Sequence, residues 1–246
     1  MAKAIAVTER KLRIMVSSTV YGIEPLLEQV FGILESFEYE VWMSFMGTIP
    51  NFSRNHAFDD CLEAVKQCDV FFSIITPQYG SGVLDGNLGI THQELELAIQ
   101  RRVPRWVMAH ERVKLARSFF KKLGYHTTNQ RDELLSWLGF DDADERKKML
   151  KREANIIDDF RVIDMYDLAS RQGIANVDQR NGNWVQEFKR DDDVKRYVNA
   201  QFHDLVRIHQ IIRQVNSVTQ RGPRKASATA RTASVKRASA NTRNSR

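Results

Sequence analysis

The sequence has few cysteines, and those present do not form a metal-binding or disulfide pattern. Cys61 and Cys68 are the two cysteines of the 246-residue chain. Their spacing of seven matches neither C-x-x-C nor a zinc pair, and a disulfide framework needs more cysteines at other spacings. We expect two reduced thiols on one face of a helix. The six histidines also form no metal-binding motif, so no metal site is expected.

Long apolar runs are absent as well. The longest mainly apolar stretch, Val70 to Thr76, is far shorter than the roughly 20 residues that cross a bilayer. The N-terminus, MAKAIAVTERKLRIMV, lacks the apolar core and cleavage site of a signal peptide. These absences predict a soluble, cytoplasmic protein without membrane contact.

Acidic residues are missing from one end of the chain. The formal net charge is +6, but residues 220–246 contain eight Lys or Arg and no acid. Residues 1–219 therefore carry 29 basic and 31 acidic groups, and are nearly neutral. Because the tail is rich in Ala, Ser and Thr and has no aromatic residue, we expect it to be disordered. Its contact with nucleic acid would be weak, nonspecific and salt-dependent.

The remaining residues alternate between apolar strand patterns and amphipathic helix patterns. This order predicts an α/β fold, a doubly wound parallel sheet of five strands. The unbroken apolar run DVFFSIIT marks a central strand that is buried on both faces. The predicted strands are Lys11–Val16, Glu40–Ser44, Asp69–Thr76, Arg105–Ala109 and Phe160–Met165.

The same patterns divide the chain into segments. Residues 1–10 form an N-terminal extension, and residues 11–218 form a single α/β domain. A charged stretch at about 114–158 predicts an inserted segment of two or three surface helices. A long closing helix is expected at about 191–218, with three aspartates at its positive end. The basic tail covers 219–246.

Ligands of open parallel sheets bind beyond the carboxyl ends of the strands, where the strand order reverses. The loop after strand one begins with Ser17, the loop after strand three contains Tyr79, and a helix carrying Glu94 follows. The spacing from Thr91 to Glu94 has a purely structural explanation as well, because T-x-x-E is a helix capping box. No phosphate-binding glycine motif or nucleophile elbow is present.

Four segments together resemble the prokaryotic family known as domain of unknown function 4062. They are KLRIMVSST, DDCLEAVKQCDVFFSIITPQYGS, ITHQELELAIQRRVP and NWVQEFKRDDDVKRYV. The resemblance covers residues 11 to about 113 and continues more loosely over 160–206. It implies a fold similar to Toll/interleukin-1 receptor (TIR) domains, flavodoxin and nucleoside deoxyribosyltransferases, in proteins of antiphage defence.

The resemblance to TIR-type NAD glycohydrolases implies that Glu94 is catalytic, with Glu96 as the secondary candidate. NAD is then a substrate, and no cofactor is required. The substrate would be contacted by residues of the strand ends and of the helix start, namely Ser17, Ser18, Thr19, Tyr79, Gly80, Ser81 and Thr91.

Two other functions remain open. One is a non-catalytic TIR-like module that binds a nucleotide or a partner protein and transmits assembly. The other is a nucleoside deoxyribosyltransferase-like enzyme. A TIR-like protein of this kind would act as a homo-oligomer, with a separate sensor protein, or both.

Overall fold

The centre of the protein is a parallel β-sheet. The computed structural model describes residues 10–51, 56–80, 88–142, 145, 148, 149 and 156–220. In this part of the chain five strands pair in the order β2-β1-β3-β4-β5, and every pair is parallel. The fold is therefore the predicted doubly wound α/β type, in the flavodoxin-like strand order. The strands are β1 (Arg13–Ser18), β2 (Glu40–Trp42), β3 (Val70–Ile75), β4 (Arg105–His110) and β5 (Val185–Phe188).

Helices cover both faces of this sheet. One face packs against α1, α7 and α8, and the other against α2, α3, α4 and α6. Neighbouring residues of β1 illustrate the two layers, since Ile14 belongs to the first core and Met15 to the second. The helices are α1 (Glu24–Ser36), α2 (Ala57–Gln67), α3 (Ile90–Gln100), α4 (Glu111–Lys122), α5 (Thr128–Trp137), α6 (Arg161–Ala169), α7 (Asp191–Phe202) and α8 (Leu205–Gln220).

The central strand agrees with its sequence pattern. All six residues of β3 are buried, because Phe71 and Ile75 contact one helical layer while Phe72 and Ile74 contact the other. An unbroken apolar run is the pattern expected of a parallel strand that is covered on both faces.

The predicted position of the fifth strand was wrong. Residues 161–169 form helix α6, and the buried positions Val162, Ile163, Met165 and Tyr166 repeat with helical spacing. The true fifth strand, Val185–Phe188, lies at the edge of the sheet and buries fully only Phe188. An edge strand packs on fewer neighbours, so its sequence needs less apolar character.

The prediction of a single closing helix was also wrong. Helix α7 ends at Phe202, and α8 begins at Leu205. Asp204 starts the second helix, since its side chain accepts a hydrogen bond of 3.0 Å from the backbone N–H of Arg207. Aspartate at this position satisfies an otherwise unpaired N–H and favours a new helix start.

The three aspartates lie in the first turn of α7, at the helix end where they were predicted. Asp193 accepts hydrogen bonds of 3.0 Å from the backbone N–H groups of Lys189 and Arg190. The predicted insertion contains α4 and α5, although α4 begins at Glu111 rather than Lys114. The basic tail beyond residue 220 and the extension at residues 1–9 lie outside the described residues. No helix within the described ranges is long and apolar enough to cross a membrane.

The strand order determines where a ligand can bind. From β1 the chain passes through α1 on one face to β2, and then through α2 on the opposite face to β3. The crossovers therefore diverge between β1 and β3. A crevice forms beyond the carboxyl ends of these two strands.

Candidate functional site

A cleft of about 310 Å³ opens at this crevice. We call it the Glu94 cleft. Seven of its lining residues were predicted from the sequence as catalytic or substrate-binding residues, namely Ser17, Ser18, Thr19, Tyr79, Gly80, Thr91 and Glu94. Four more were not included in that prediction, namely Val20, Tyr21, Ser44 and Ile90. These four follow β1 or β2 or begin α3, so the rule for strand ends locates them once the sheet is known.

Glu94 is not part of a capping box. Helix α3 begins at Ile90 with Gly89 as its N-cap, and no side chain caps this end. Thr91 therefore lies within the first turn, and Glu94 follows it on the buried side of the helix with 4% of its surface exposed. The structural interpretation of T-x-x-E is thus incorrect here. Glu94 instead accepts a hydrogen bond of 2.5 Å from the Ser17 hydroxyl.

Burial changes the acidity of Glu94. The pKa of its carboxyl group rises from an ordinary value of 4.5 to about 7, because burial penalises the charged form. Hydrogen bonds from Ser17 and from the thiol of Cys61 stabilise the carboxylate and lower this pKa in part. A carboxyl group with a pKa near 7 is present in both protonation states at neutral pH. It can therefore accept or donate a proton.

Cys61 was expected only to be a reduced thiol, and its contact with Glu94 was missed. Cys61 lies on the inner face of α2, next to the buried Ala64 and Val65. Both cysteines are free thiols. Burial, together with the nearby carboxylate of Glu94, raises the pKa of Cys61 to about 12, so the thiol keeps its proton. The helical spacing in the sequence indicates that Cys61 faces the protein interior, but it does not indicate which helix Cys61 contacts there.

Tyr79 forms a wall of the cleft, and its hydroxyl already has internal partners. This hydroxyl accepts a hydrogen bond of 2.9 Å from the backbone N–H of Gly89 and lies 3.0 Å from Nδ1 of His92. The guanidinium of Arg161 stacks on the outer side of its ring, at 4.2 Å from the centroid. Tyr79 thus fixes the start of α3 and offers mainly its ring to a ligand. Burial raises the pKa of this hydroxyl above its usual value.

The hydroxyl side chains after Ser17 connect the ends of the two strands. Ser18 is the last residue of β1, rather than a loop residue as predicted, and donates a hydrogen bond of 3.0 Å to the carbonyl of Ile74. The hydroxyls of Thr19 and Thr76 lie 2.5 Å apart. Gly80 follows with a φ of 86°, and a Cβ there would lie 3.0 Å from Cγ2 of Thr19. Glycine is therefore required at this position for conformation and for space.

The family of the chain follows from a match to one family model. The model described as Domain of unknown function (DUF4062) matches residues 13–155, which is more than half of the chain. The chain belongs to the DUF4062 family. No curated protein matches the sequence.

The DUF4062 match covers the whole Glu94 cleft. It contains β1 to β4, the helices between them, and every residue that lines the cleft. It ends before α6 and β5, which complete the sheet and its second helical layer. The candidate site therefore belongs to the part of the chain that defines the family.

Two predicted site residues of this DUF4062 protein are not among the described residues that line the cleft. Ser81 lies outside the described residues. Glu96 is half-buried on α3 and does not line the cleft. A rotation of about 200° along the helix separates it from Glu94, so the two carboxylates point to different sides.

The described lining of the Glu94 cleft has hydroxyl groups, apolar side chains and one carboxyl group, but neither Lys nor Arg. Such a surface can hydrogen bond a sugar and place a carboxylate beside it. Across the described part of this DUF4062 chain, no three His, Cys, Asp or Glu side chains converge to hold a metal ion.

Proposed function

We propose that this protein is a TIR-like NAD glycohydrolase that cleaves the bond between nicotinamide and ribose, with Glu94 as the catalytic carboxylate. The observation that carries the proposal is the position of Glu94, buried in a hydroxyl-lined cleft and bonded to Ser17 rather than to the helix end. The resemblance to TIR-type enzymes supports it, since their catalytic glutamate lies in the helix after the third strand. Within this proposal the protein is a cytoplasmic effector of antiphage defence, controlled by self-assembly or by a separate sensor.

The reaction needs little besides a well-placed carboxylate. As the bond from ribose C1′ to the nicotinamide nitrogen breaks, its electron pair neutralises the positive nicotinamide ring, so the leaving group needs no acid. Positive charge then develops on the ribose, and ionised Glu94 stabilises it. Water adds to C1′ and its proton passes to the carboxylate and then to solvent. The products are nicotinamide, ADP-ribose and a proton.

The test is an incubation of the full-length protein with NAD at high concentration, with nicotinamide and ADP-ribose separated by chromatography. Parallel samples contain a crowding agent, because crowding favours self-assembly and a TIR-like enzyme would be active only when assembled. Glu94→Ala should lower turnover by about 10²–10⁴-fold, the usual contribution of a catalytic acid or base. Glu96→Ala, on the same helix but outside the cleft, should retain it.

Equal inactivity of the wild type and both variants would contradict the NAD proposal. If the inactive wild type still binds a nucleotide and changes its assembly state on binding, the non-catalytic signalling module becomes the better assignment.

The charge of the cleft favours a second candidate, a nucleoside deoxyribosyltransferase-like enzyme. Among the described lining residues no cation is present to bind a pyrophosphate, and 310 Å³ is at the lower end of the range of about 300–1,000 Å³ for ligand clefts. Both features suit an uncharged nucleoside. Ribosyl exchange between a deoxynucleoside and a different free base, lost in Glu94→Ala, would support this candidate over the first.

A further inference from the structure

A second cleft of about 300 Å³ lies between α4, α5 and α6, and none of its described lining residues also lines the Glu94 cleft. We call it the basic cleft. Its polar lining comes from three helices, from the turn between α4 and α5 and from the segment after α6, and includes Arg117, Lys121, Tyr125, His126, Arg131 and Asp167.

The sequence builds this cleft through a tight turn. Helix α4 ends at Lys122, and Gly124 reverses the chain with a φ of 90°. Thr127 then caps α5 and is bonded in return by the side chain of Gln130. The turn therefore holds Tyr125 and His126 between the end of α4 and the start of α5.

Arg131 is the most unusual residue of the basic cleft. The residue is 1% exposed, although arginine is rarely buried to this extent. One terminal nitrogen lies 3.3 Å from a carboxylate oxygen of Asp164, and the other donates a bond of 2.9 Å to the carbonyl of His126. The Nε–H is buried and has no hydrogen-bond partner. A buried donor without a partner is unfavourable unless an acceptor reaches it.

The charged side chains of the basic cleft include more cationic hydrogen-bond donors than carboxylate acceptors. The described lining has three cations, Arg117, Lys121 and Arg131, and the carboxylate of Asp167; Arg131 is also paired with Asp164, which does not line the cleft. Asp167 pairs with Nε of Arg117, which leaves the two terminal nitrogens of that guanidinium for another acceptor. Lys121 is exposed and has no ion pair with a described carboxylate. Its position at the end of α4 suits the helix dipole, but the dipole does not explain the burial of Arg131.

We infer that the basic cleft binds a small phosphate-bearing anion. The terminal nitrogens of Arg117 and the ammonium group of Lys121 lie at this space without a described carboxylate partner, and the planar fork of arginine matches the oxygens of phosphate. The site is distinct from the proposed catalytic cleft and does not depend on the function proposed for Glu94.

The test is a calorimetric titration of the full chain with inorganic phosphate, at an ionic strength held constant with chloride. The wild type should bind one phosphate saturably. Lys121→Gln should weaken binding about tenfold or more, the loss expected for one hydrogen bond to a charged group. Because Lys121 is exposed, the variant should fold normally, with an unchanged melting temperature. Lys121→Glu, which reverses the charge, should weaken binding further.

Lys122→Gln is the matched control. Lys122 is exposed on the same turn of α4 and does not line the cleft, so this variant should bind phosphate within twofold of the wild type. An equal loss in both lysine variants, or binding that does not saturate, would assign the phosphate to diffuse attraction by the basic chain and overturn the inference.

A second titration, with AMP, identifies the source of the phosphate. If AMP binds more tightly than phosphate, and Lys121→Gln removes this additional affinity, the basic cleft is assigned to a nucleotide. Equal affinity for AMP and phosphate, both weakened in Lys121→Gln, assigns it to the free ion.

Discussion

The hydroxyl of Ser17, at the end of β1, donates a 2.5 Å hydrogen bond to the carboxyl group of Glu94, 77 positions later in the chain. This bond joins the central sheet to α3 at the point where the strand order reverses. It directs the only carboxyl group of the described cleft lining towards the space in which a ligand would bind.

The stability of the protein should depend on pH through Glu94. Burial raises the pKa of its carboxyl group from 4.5 to about 7, so the native state binds more protons than the unfolded state between these values. The Glu94 contribution is complete below pH 4.5, decreases as pH rises to about 7, and is constant above that. The decrease in the free energy of unfolding should be about 3 kcal/mol.

Denaturant unfolding of the wild type and Glu94→Gln from pH 4.5 to 8 measures this contribution. The uncharged variant should lack the decrease, so its stability relative to the wild type should improve as pH rises. Glu96→Gln is the control for removing one carboxyl group from α3, and its difference from the wild type should change far less. Parallel curves for Glu94→Gln and the wild type would contradict the raised pKa.

Ser17→Ala should raise the pKa of Glu94 further. The hydroxyl stabilises the charged form, and its removal leaves the carboxylate with one donor fewer. The loss of a buried bond to a charged group should also lower the free energy of unfolding by about 1–3 kcal/mol near neutral pH. The carboxyl carbon of Glu94, followed by NMR during a pH titration, reports the pKa directly.

Ser18→Ala is the matched control for Ser17→Ala. Its hydroxyl bonds to backbone carbonyls and not to Glu94, so the midpoint of the Glu94 titration should be unchanged. The same midpoint shift in both variants would mean that the titration responds to a general disturbance of β1.

Both cysteines should resist alkylation in the folded protein. Burial raises the pKa values of Cys61 and Cys68 from 9.0 to about 12, and only the thiolate reacts. At pH 8 the thiolate fraction, and hence the rate with iodoacetamide, should be roughly a thousandfold lower than in the unfolded chain. Peptide mapping by mass spectrometry measures each site separately. Rapid modification of Cys61 without unfolding would show that its contact with Glu94 is open to solvent.

Gly80→Ala should destabilise the cleft more than an alanine at another left-handed glycine. Both Gly80 and Gly47 have positive φ, at 86° and 65°, and a side chain there costs about 1–2 kcal/mol in backbone strain. A Cβ on Gly47 meets nothing within 4 Å, whereas a Cβ on Gly80 meets Cγ2 of Thr19 at 3.0 Å. Thermal unfolding should therefore show a larger loss for Gly80→Ala.

Thr19→Ser provides the internal check, because it removes Cγ2 and keeps the hydroxyl that meets Thr76. Gly80→Ala should lose more stability than Gly47→Ala. Adding Thr19→Ser to Gly80→Ala should restore this additional loss. No recovery would mean that backbone strain alone accounts for the effect of Gly80→Ala.

Local burial explains which elements were predictable from the sequence. The run DVFFSIIT is apolar because β3 has a helical layer on each face, so its central position could be inferred without a structure. The edge strand Val185–Phe188 buries only Phe188 fully and has no comparable pattern. The run FRVIDM was mistaken for a strand because its six residues are compatible with both the strand period and the helix period. Only its continuation to Ala169 completes the buried face of a helix.

The sequence by itself determined the parallel α/β fold and the edge of the sheet where a ligand would bind, because both follow from the alternation of apolar patterns along the chain. Only the tertiary structure decided the surroundings of Glu94. The letters T-x-x-E are the same in a capping box and inside a helix. Only the packing of α3 over β1 shows that the helix begins at Ile90, with Gly89 as its N-cap, and directs Glu94 to Ser17. Burial, hydrogen bonding and the resulting pKa depend on residues that are distant in sequence, such as Cys61 and Ser17, and therefore arise only when the chain is folded.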